Sequence, residues 1–536
     1  MDYNKLQEYI QLSPFEIQFE LSRLAGNFKD RQLLNAGRGN PNWIATTPRD
    51  AFFTLGHFAI EESKRTFIYP HGGLHPEIKG IYGRFQQYLK NNQDAPGIKF
   101  LDDSIKYGIE KLNFNPDEWL YELVTGAIGD FYPEPDRMRP YAEKVIHSFL
   151  LKFLCNNQEK LGRYDLFATE GGTGAIKYIF DSLFENNLLH KGDKIAIGSP
   201  IFTPYLEIPR LSNYDLIEVE IKAFEEDDWQ YSDSELEKLK DPSIKAFFVV
   251  NPGNPQSKAI KQETLEKIAD IVTKHNPNLI IISDDVYATF VDNFRSLMAE
   301  IPKNTICVYS FSKHLGCTGW RLGVIALHED NMIDQMIAKQ NLVEKNTSNE
   351  RYGCVCLEPE KMKFIDRMVA DSRSVALKHT AGLSLPQQTQ MTLFALFFLL
   401  EDNTLYLKGT EKTLNNRIHQ LYKSLGIPCD IDTTGTNYYA IIDILDIASE
   451  RYSASFARWM EETYNPLSFV FALADLESIV LLPGAGFDMP PWSIRISIAN
   501  LRAKEYKIIG MKMSKLLETI HQHYLEIVGN ELKNKA

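Results

Sequence analysis

Short apolar runs alternate with longer amphipathic segments in the middle of the chain, from Leu161 onward. Each run is the right length for one strand, and each intervening segment is long enough for a helix. This alternation predicts an α/β fold, with a mostly parallel sheet that helices cover on both faces. The runs, in chain order, are KIAIGSP, YDLIEVEI, AFFVVNPGNP, LIIISDDVYA, ICVYSFSK and GVIAL.

The segments on either side have different patterns. Lys5–Ala25 predicts an amphipathic helix, and the region from about 85 to 160 is polar and helix-like around a proline cluster at Phe131–Pro140. Met391–Leu400 is too short to cross a bilayer, and its apolar character predicts a buried helix. Near the end of the chain, Thr436–Leu445 and Trp492–Ala499 predict strands of a second lobe.

These patterns predict a large domain and a smaller one. Residues 1–60 would form an N-terminal arm and part of the small domain, and residues 376–536 would form its C-terminal part. Residues 61–375 would form the large domain, with the helical region of about 85–160 inserted into it. The insertion would either build an assembly surface or form a small cap over the functional site.

Charge and cysteine content exclude several classes of protein. The formal net charge of −13 disfavours a nucleic-acid partner, because a phosphate backbone would be repelled. The six cysteines are scattered, and the spacing of Cys354 and Cys356 fits neither a zinc knuckle nor a redox pair. We therefore expect no metal site and a reducing cytoplasmic location. The N-terminal residues do not resemble a signal peptide, and we expect no membrane partner.

Polar residues follow several of the predicted strands. In an open parallel sheet such residues collect at one edge, where ligands bind. Gly172 and Thr173 lie in a glycine-rich turn before an amphipathic helix, whose first N–H groups are free to bind an anion. Each cluster taken alone is also compatible with an ordinary turn or a packed core. The other strand ends carry Phe202, Asn254, Asp284 and Tyr287.

The stretch YSFSKHLGCTGWRLG combines two kinds of chemistry. Lys313 is a nucleophile toward aldehydes if its neighbours lower the cost of deprotonating it. Ser310, Ser312 and Arg321 offer hydroxyls and a guanidinium, which suit a phosphate dianion. An aldehyde and a phosphate occur together in pyridoxal 5′-phosphate (PLP). That cofactor also needs an aspartate near its ring nitrogen and a tyrosine near its ring hydroxyl, and SDDVY supplies both.

The order of these motifs resembles a known family. GGTGA, NPGNP, DDVY, SFSK and GWRLG, followed by an arginine in SIRISIA, are similar to the fold-type I PLP-dependent enzymes of the aspartate aminotransferase family. The resemblance is dense over Gly162–Val324 and thinner in the C-terminal lobe. It implies a large domain with a mostly parallel sheet, a smaller α/β domain, and PLP as the cofactor.

The same resemblance implies roles for individual residues. Lys313 would bind the cofactor aldehyde covalently, and Arg495 would bind the α-carboxylate of the substrate. Asp284 would pair with the ring nitrogen. The remaining contacts would come from Tyr287 and Asn254 to the ring hydroxyl oxygen, from Phe202 to the ring face, and from Gly172, Thr173, Ser310, Ser312 and Arg321 to the phosphate.

The extra length before Leu161 and three sequence segments indicate a particular group within this family. LNAGRGNPNW, FSKHLGCTGWRLG and KHTAGLSLPQQTQ resemble members of the family that convert L-aspartate into L-alanine and CO2 and also transaminate aspartate with a keto acid. Arg38 would then orient the distal carboxylate, with Thr380 as a second polar contact. Tyr69 would reach the phosphate of a neighbouring subunit, in homodimers that assemble into a larger homo-oligomer.

Other interpretations are weaker to different degrees. A plain aminotransferase for aspartate or another amino acid, with the same fold, remains an open alternative. A PLP-binding transcription regulator is disfavoured because the N-terminal segment is too short for a basic DNA-binding arm and the chain is acidic. A catalytically inactive relative is disfavoured because the lysine, aspartate, tyrosine and arginines are all present. Arg38 could alternatively be a turn arginine that caps a helix or faces solvent.

Overall fold

A seven-stranded sheet forms the centre of the chain. The computed structural model describes residues 9, 12, 14–27, 32–67, 69–157, 161–202, 204–205, 214–373, 382–400, 404–429 and 435–535. The strand order in the large sheet is β2-β8-β7-β6-β5-β3-β4. Its strands are β2 Tyr164–Thr169, β3 Lys194–Ser199, β4 Ile217–Lys222, β5 Ile244–Val250, β6 Ile280–Asp284, β7 Thr305–Ser310 and β8 Gly323–His328.

All six apolar runs of the sequence contribute strands to this sheet, which confirms the predicted α/β class. β4, β3, β5, β6 and β7 are parallel to one another. β8, however, is antiparallel to both of its neighbours, β2 and β7. Its first residue, Gly323, therefore pairs with the last residues of those strands, Thr169 and Ser310. The reversal places the residues just before β8 at the edge where the parallel strands end.

Helices surround the sheet and extend beyond it. In chain order they are α1 Pro14–Ala25, α2 Thr47–Lys64, α3 Ile81–Asn91, α4 Ile98–Lys111, α5 Pro116–Ile128, α6 Pro140–Leu154, α7 Gly172–Glu185, α8 Asp233–Leu236, α9 Gln262–Lys274, α10 Leu297–Glu300, α11 Met332–Ala338, α12 Leu342–Tyr352, α13 Phe364–Asp371, α14 Leu385–Leu399, α15 Thr404–Leu425, α16 Ile444–Arg451, α17 Ala454–Thr463, α18 Leu467–Glu477 and α19 Ala503–Lys535.

Apolar side chains cover both faces of the sheet. Phe167, Ile179 and Ile282 belong to a buried cluster on one face. Phe247 and Ile281 belong to another cluster, as expected for neighbouring residues whose side chains alternate between faces. The predicted arrangement of helices on both faces is therefore present.

The region of about 85–160 is helical, as predicted, and comprises α3 to α6. It packs with α2 and with α14, whose side chains are almost all buried. α14 is the helix predicted from the apolar run Met391–Leu400, and its uniform burial explains why the run lacks a polar face. The role of the inserted region as an assembly surface or a cap stays a prediction.

The second lobe contains two small sheets. β9 Tyr439–Asp443 and β11 Leu482–Pro483 flank β12 Ser493–Ser497 in an antiparallel sheet, and the two strands predicted for this lobe are among them. β1 Leu34–Asn35 pairs in parallel with β10 Ile479–Val480, so the N-terminal segment joins this lobe. The division into domains at residues 60 and 375 stays a prediction.

Two further sequence features can be placed. The six cysteines all lie in described segments and form no disulfide, and Cys155, Cys307 and Cys317 are buried. Within the described ranges, each helix is either too short or too polar to span a lipid bilayer.

Candidate active site

The carboxyl ends of β5, β6 and β7 surround a cavity of about 160 Å³, together with the first turn of α7. This is the edge at which ligands bind in open α/β sheets. The cavity brings together all the residues predicted to bind the cofactor except Tyr69. They are Gly172, Thr173, Phe202, Asn254, Asp284, Tyr287, Ser310, Ser312, Lys313 and Arg321.

One end of the cavity is built to bind an anion. α7 begins there without a side-chain cap, so its first N–H groups are available to a ligand. Ser310 Oγ donates to Ser312 Oγ over 2.9 Å, and both hydroxyls line the cavity. Arg321 lies at the same end, where its guanidinium donates to the carbonyls of Thr318 and Glu170 over 3.0 and 3.2 Å. Helix N–H groups, hydroxyls and a guanidinium together suit a phosphate.

Arg321 reaches this end because of the backbone on both sides of it. It directly precedes the last loop residue before β8, and the antiparallel direction of β8 brings that loop to the carboxyl edge. The guanidinium packs over Gly171, where a Cβ atom would lie 2.4 Å from Arg321 Nη2. Gly171 also has a φ of +88°, which disfavours other residues. A glycine at position 171 is therefore needed for both the turn and the approach of the arginine.

At the other end of the cavity, Asp284 is 1% exposed. Tyr205 donates its hydroxyl hydrogen to Asp284 Oδ2, and the N–H of Val286 donates to Oδ1 over 3.2 Å. Burial nevertheless raises the pKa of Asp284 to about 6, although these hydrogen bonds and the charge of Lys313 act to lower it. The positive charge near the carboxylate is therefore too small to offset the cost of its burial. A cationic ring nitrogen beside it would supply the missing charge.

Lys313 is held between the two lobes. Its Nζ donates to the carbonyl of Gly39 over 3.0 Å, and the hydroxyl of Tyr438 donates to the same carbonyl over 2.8 Å. Gly39 has no room for a side chain, because a Cβ atom there would lie 2.4 Å from the Tyr439 hydroxyl and 3.2 Å from Lys313 Nζ. Trp43 Nε1 donates to the Lys313 carbonyl over 3.2 Å. The amine therefore occupies a defined place, and no carboxylate of the described residues forms an ion pair with it.

Arg495 is a buried cation that faces the same region. It is 2% exposed, and its Nη1 donates to Asn254 Oδ1 over 3.2 Å, while Nη2 donates to the Gly37 carbonyl over 2.6 Å. Its Nε has no hydrogen-bond partner among the described residues. The guanidinium carbon lies 4.5 Å from the ring centres of Tyr439 and Phe487. Burial lowers the pKa of Arg495 because the cation loses its contact with water. A bound anion would offset this cost, so the site favours one.

A second cavity, of about 400 Å³, contains the predicted substrate residues. Arg38, Lys313 and Arg495 all line it, and helix α1 contributes Gln18 and Ser22. Arg38 is exposed to this space. A molecule with two carboxylates could therefore contact one arginine with each, close to the lysine amine.

Several residues of the site were not predicted. The hydrogen bond from Tyr205 to Asp284 cannot be predicted from a single aromatic residue that follows a strand. Tyr439 places its hydroxyl 2.7 Å from that of Tyr287. Its position follows from strand register, since Tyr439 pairs with Ser497 and so shares a face of the sheet with Arg495. Such a register could be proposed from the alternation in TNYYAIIDIL and SIRIS, once the two strands are paired.

Two predicted residues are not brought into these cavities. Tyr69 is 66% exposed, and its ring contacts that of Phe67 at 5.6 Å. Its predicted contact involves a neighbouring subunit and stays a prediction. Thr380 lies outside the described residues.

Comparison with known proteins agrees with this geometry. A model of the family described as aminotransferase class I and II matches residues 150–509. The chain belongs to the class I and II aminotransferase family. The matched residues include the large sheet, Lys313, Arg321, Arg495 and the strands β9 to β12 of the second lobe.

Individual members of the family differ in how much of the chain they cover. A bifunctional aspartate aminotransferase and L-aspartate β-decarboxylase from a Pseudomonas species is 44% identical over 533 residues, which is 99% of each chain. An aspartate aminotransferase from a Bacillus species is 29% identical over 408 residues, 74% of this chain and 88% of that one. An aromatic aminotransferase from Pyrococcus horikoshii has the same fold, with a TM-score of 0.57, 18% identity, and coverage of 93% of this chain and 99% of the other.

The buried charge of Asp284 leads to a testable effect on stability. Its pKa rises from 3.8 to about 6 on folding, so the native state is penalised by about 3 kcal/mol at pH 8, and the penalty disappears below about pH 4. Asp284→Asn should therefore raise the thermal unfolding midpoint of the cofactor-free protein at pH 8, and the gain should shrink to about half at pH 5. Differential scanning fluorimetry at several pH values measures it. A variant that is less stable than the parent at pH 8, or a gain independent of pH, would contradict the assignment.

Proposed function

We propose that this chain is a PLP-dependent enzyme that removes the β-carboxylate of L-aspartate to give L-alanine and CO2, and that also transaminates aspartate with a keto acid. The observation that carries the proposal is that Arg495, Arg38 and Lys313 line the same cavity, of about 400 Å³. The relative that is 44% identical over 99% of the chain, a bifunctional aspartate aminotransferase and L-aspartate β-decarboxylase, supports it.

The residues of the smaller cavity fit PLP. Asp284 is a buried carboxylate in need of a positive partner, which a protonated ring nitrogen provides. Tyr287 and Asn254 would hold the ring hydroxyl oxygen, and Phe202 would cover the ring. Lys313 would hold the aldehyde carbon. The phosphate would be held by the N–H groups and side chains of Gly172, Thr173, Ser310, Ser312 and Arg321.

The substrate would be oriented by its carboxylates. Arg495 offers to the α-carboxylate its Nε, which has no hydrogen-bond partner within the described part of the chain, and the remaining hydrogens of its two Nη atoms. A planar guanidinium binds a carboxylate through two hydrogen bonds. Burial strengthens this contact because water does not compete for it. The α-carboxylate would then fix the substrate Cα near Lys313 Nζ.

PLP, when bound, supplies an electron sink for charge that develops next to the substrate nitrogen. The Lys313 amine, close to Gly39, can take the proton from the substrate Cα and return it. Loss of CO2 breaks the bond between Cβ and the distal carboxylate, and the electron pair that remains is protonated at Cβ to give the methyl group of alanine. Hydrolysis of the bond between Cα and the substrate nitrogen before CO2 leaves would give oxaloacetate instead, and the amino group would stay on the cofactor until a keto acid took it up.

Arg38 would decide between these outcomes. The distal carboxylate loses its negative charge as it becomes CO2, so an arginine that bound it tightly throughout would oppose the step. Arg38 is exposed, whereas Arg495 is 2% exposed, and a solvated guanidinium binds a carboxylate more weakly than a buried one. Arg38 can therefore orient the carboxylate without holding it.

The proposed enzyme is a homo-oligomer built from dimers, in a reducing cytoplasm. Several large apolar side chains of the segment from α2 onward are exposed in the single chain, among them Phe53, Ile60, Tyr69 and Leu74. A second copy of the chain would cover such a surface. Tyr69 would then reach the phosphate in the partner's site. The six cysteines, none of them in a disulfide, support the reducing location.

Product analysis tests the reaction. With PLP and L-aspartate as the sole amino acid, the protein should release CO2 and alanine in equal amounts and should need no added keto acid. Lys313→Ala should abolish both products, whereas Lys339→Ala, at an exposed lysine of the same domain, should leave them unchanged. Oxaloacetate formed only when a keto acid is added, with no alanine from aspartate alone, would favour the plain aminotransferase instead.

The role of Arg38 gives a second test. Arg38→Ala should lower the rate of alanine formation by about 10-fold or more, because a distal carboxylate that is no longer oriented reaches the reactive geometry less often. Transamination of aspartate should fall much less, since it does not require that orientation.

Arg458→Ala, at an exposed arginine of α17, is the matched control and should change neither rate. Rates of alanine and oxaloacetate formation measured on the same samples give the ratio. An unchanged ratio in Arg38→Ala would remove this residue from the site.

A further inference from the structure

His314 follows Lys313 directly, but its side chain belongs to a different cavity. It is 3% exposed and contacts a cavity of about 380 Å³ that includes the turn at residues 289–294 and part of α15. Lys313 lines the two cavities of the active site instead. His314 is therefore linked to Lys313 through the main chain that the two residues share, and more distantly through Phe290, whose ring contacts those of both His314 and Tyr438.

Hydrogen-bond directions determine which ring nitrogen carries the hydrogen. The Thr410 hydroxyl donates to the Leu407 carbonyl over 2.7 Å, so its hydrogen is already used. Nε2 of His314, 2.9 Å from Thr410 Oγ, must therefore be the donor of that pair. Burial lowers the pKa of His314 to about 3, which keeps the ring neutral. Nδ1 then accepts from the Thr289 hydroxyl over 2.9 Å, and Tyr309 can donate to Thr289 in turn over 3.3 Å.

The ring and the carbonyl of His314 are both fixed. The ring stacks on Phe290, with centres 4.0 Å apart and an angle of 10° between the planes. The carbonyl accepts from Trp43 Nε1 over 2.9 Å and from the Tyr406 hydroxyl over 2.7 Å. These partners come from the N-terminal segment, from the turn after β6, and from α15. Residue 314 is thus attached to three separate parts of the fold.

We propose that His314 is a positioning residue for Lys313, and that its neutral ring, bridging Thr289 and Thr410, fixes the main chain from which the lysine amine reaches an aldehyde. This inference rests on the proposed PLP chemistry and concerns the covalent contact alone. A lysine side chain has many rotamers, so the place of its amine depends on how well its Cα is held. The phosphate and the ring nitrogen are held by other residues, so their binding does not depend on His314.

This difference makes the proposal testable by binding alone. PLP forms a covalent bond with the lysine, whereas pyridoxamine 5′-phosphate, which has no aldehyde, uses the same cradle without that bond. In His314→Phe, which keeps the stacking but loses both hydrogen bonds, the affinity of the cofactor-free protein for PLP should weaken about 10-fold or more. The affinity for pyridoxamine 5′-phosphate should change by less than about twofold, within the scatter of such measurements.

Thr410→Val provides a second variant, because it removes the acceptor of Nε2 with little change in volume. It should weaken PLP binding in the same selective way. Thr413→Val is the matched control, since Thr413 lies on the same helix, is partly exposed, and donates its hydroxyl hydrogen to the carbonyl of Gly409 within that helix. It should leave both affinities unchanged.

Three results would overturn the proposal. PLP affinity could be unchanged in both His314→Phe and Thr410→Val, or both ligands could weaken in parallel, which indicates a general loss of structure. Selective weakening in Thr413→Val would also contradict it. If the parent protein itself fails to bind PLP covalently, the proposed function fails; if the parent binds PLP and the variants behave like it, the inference about His314 fails alone.

Discussion

The Asp284 carboxylate is buried at the end of β6, and the architecture of the active site depends on how its charge is compensated. Tyr205 and Val286 satisfy two of its hydrogen bonds, but neither brings positive charge. Burial without that charge raises its pKa to about 6. A cationic ring nitrogen next to the carboxylate would lower the energy of the ionised form, as a nearby positive charge does in general. The other end of the cavity, where the uncapped start of α7 is suited to an anion, would then limit where such a ring can lie.

The N-terminal segment connects this cavity with the second lobe, mostly through main-chain carbonyls. The Gly39 carbonyl accepts from Lys313 and from Tyr438, and the Gly37 carbonyl accepts from Arg495. Farther along the same segment, Arg49 donates to the carbonyls of the loop after the lysine, over 3.2 Å to that of residue 315 and 2.8 Å to that of residue 316. Lys313 and Arg495 are therefore positioned by one stretch of chain.

Much of this arrangement could be predicted because strand ends carry their own chemistry. Lys313, Asp284 and Asn254 follow or end strands whose apolar runs are plain in the sequence, and the carboxyl ends of parallel strands meet whatever their order. The direction of β8 could not be predicted, since GVIAL has the same apolar pattern in either direction. Arg321 reaches the end of the cavity near the start of α7 because of that direction.

Other contacts depend on how separate segments of the chain pack against each other. Tyr439 meets Tyr287 because of the register between β9 and β12, which depends on the packing of the whole second lobe. Trp43 donates its hydrogen bond to main-chain carbonyls. Because every residue has a carbonyl, no sequence motif indicates which one Trp43 contacts. The prediction for Tyr69 concerns a second subunit, whose position depends on an interface rather than on this chain's fold.

The covalent attachment of PLP to Lys313 is the central claim, and peptide mapping tests it most directly. The protein would be incubated with PLP, reduced with borohydride, digested, and analysed by mass spectrometry. We expect one modified peptide, which contains Lys313 and carries one reduced cofactor group. Modification at another lysine, or labelling spread over many lysines with none preferred, would contradict it.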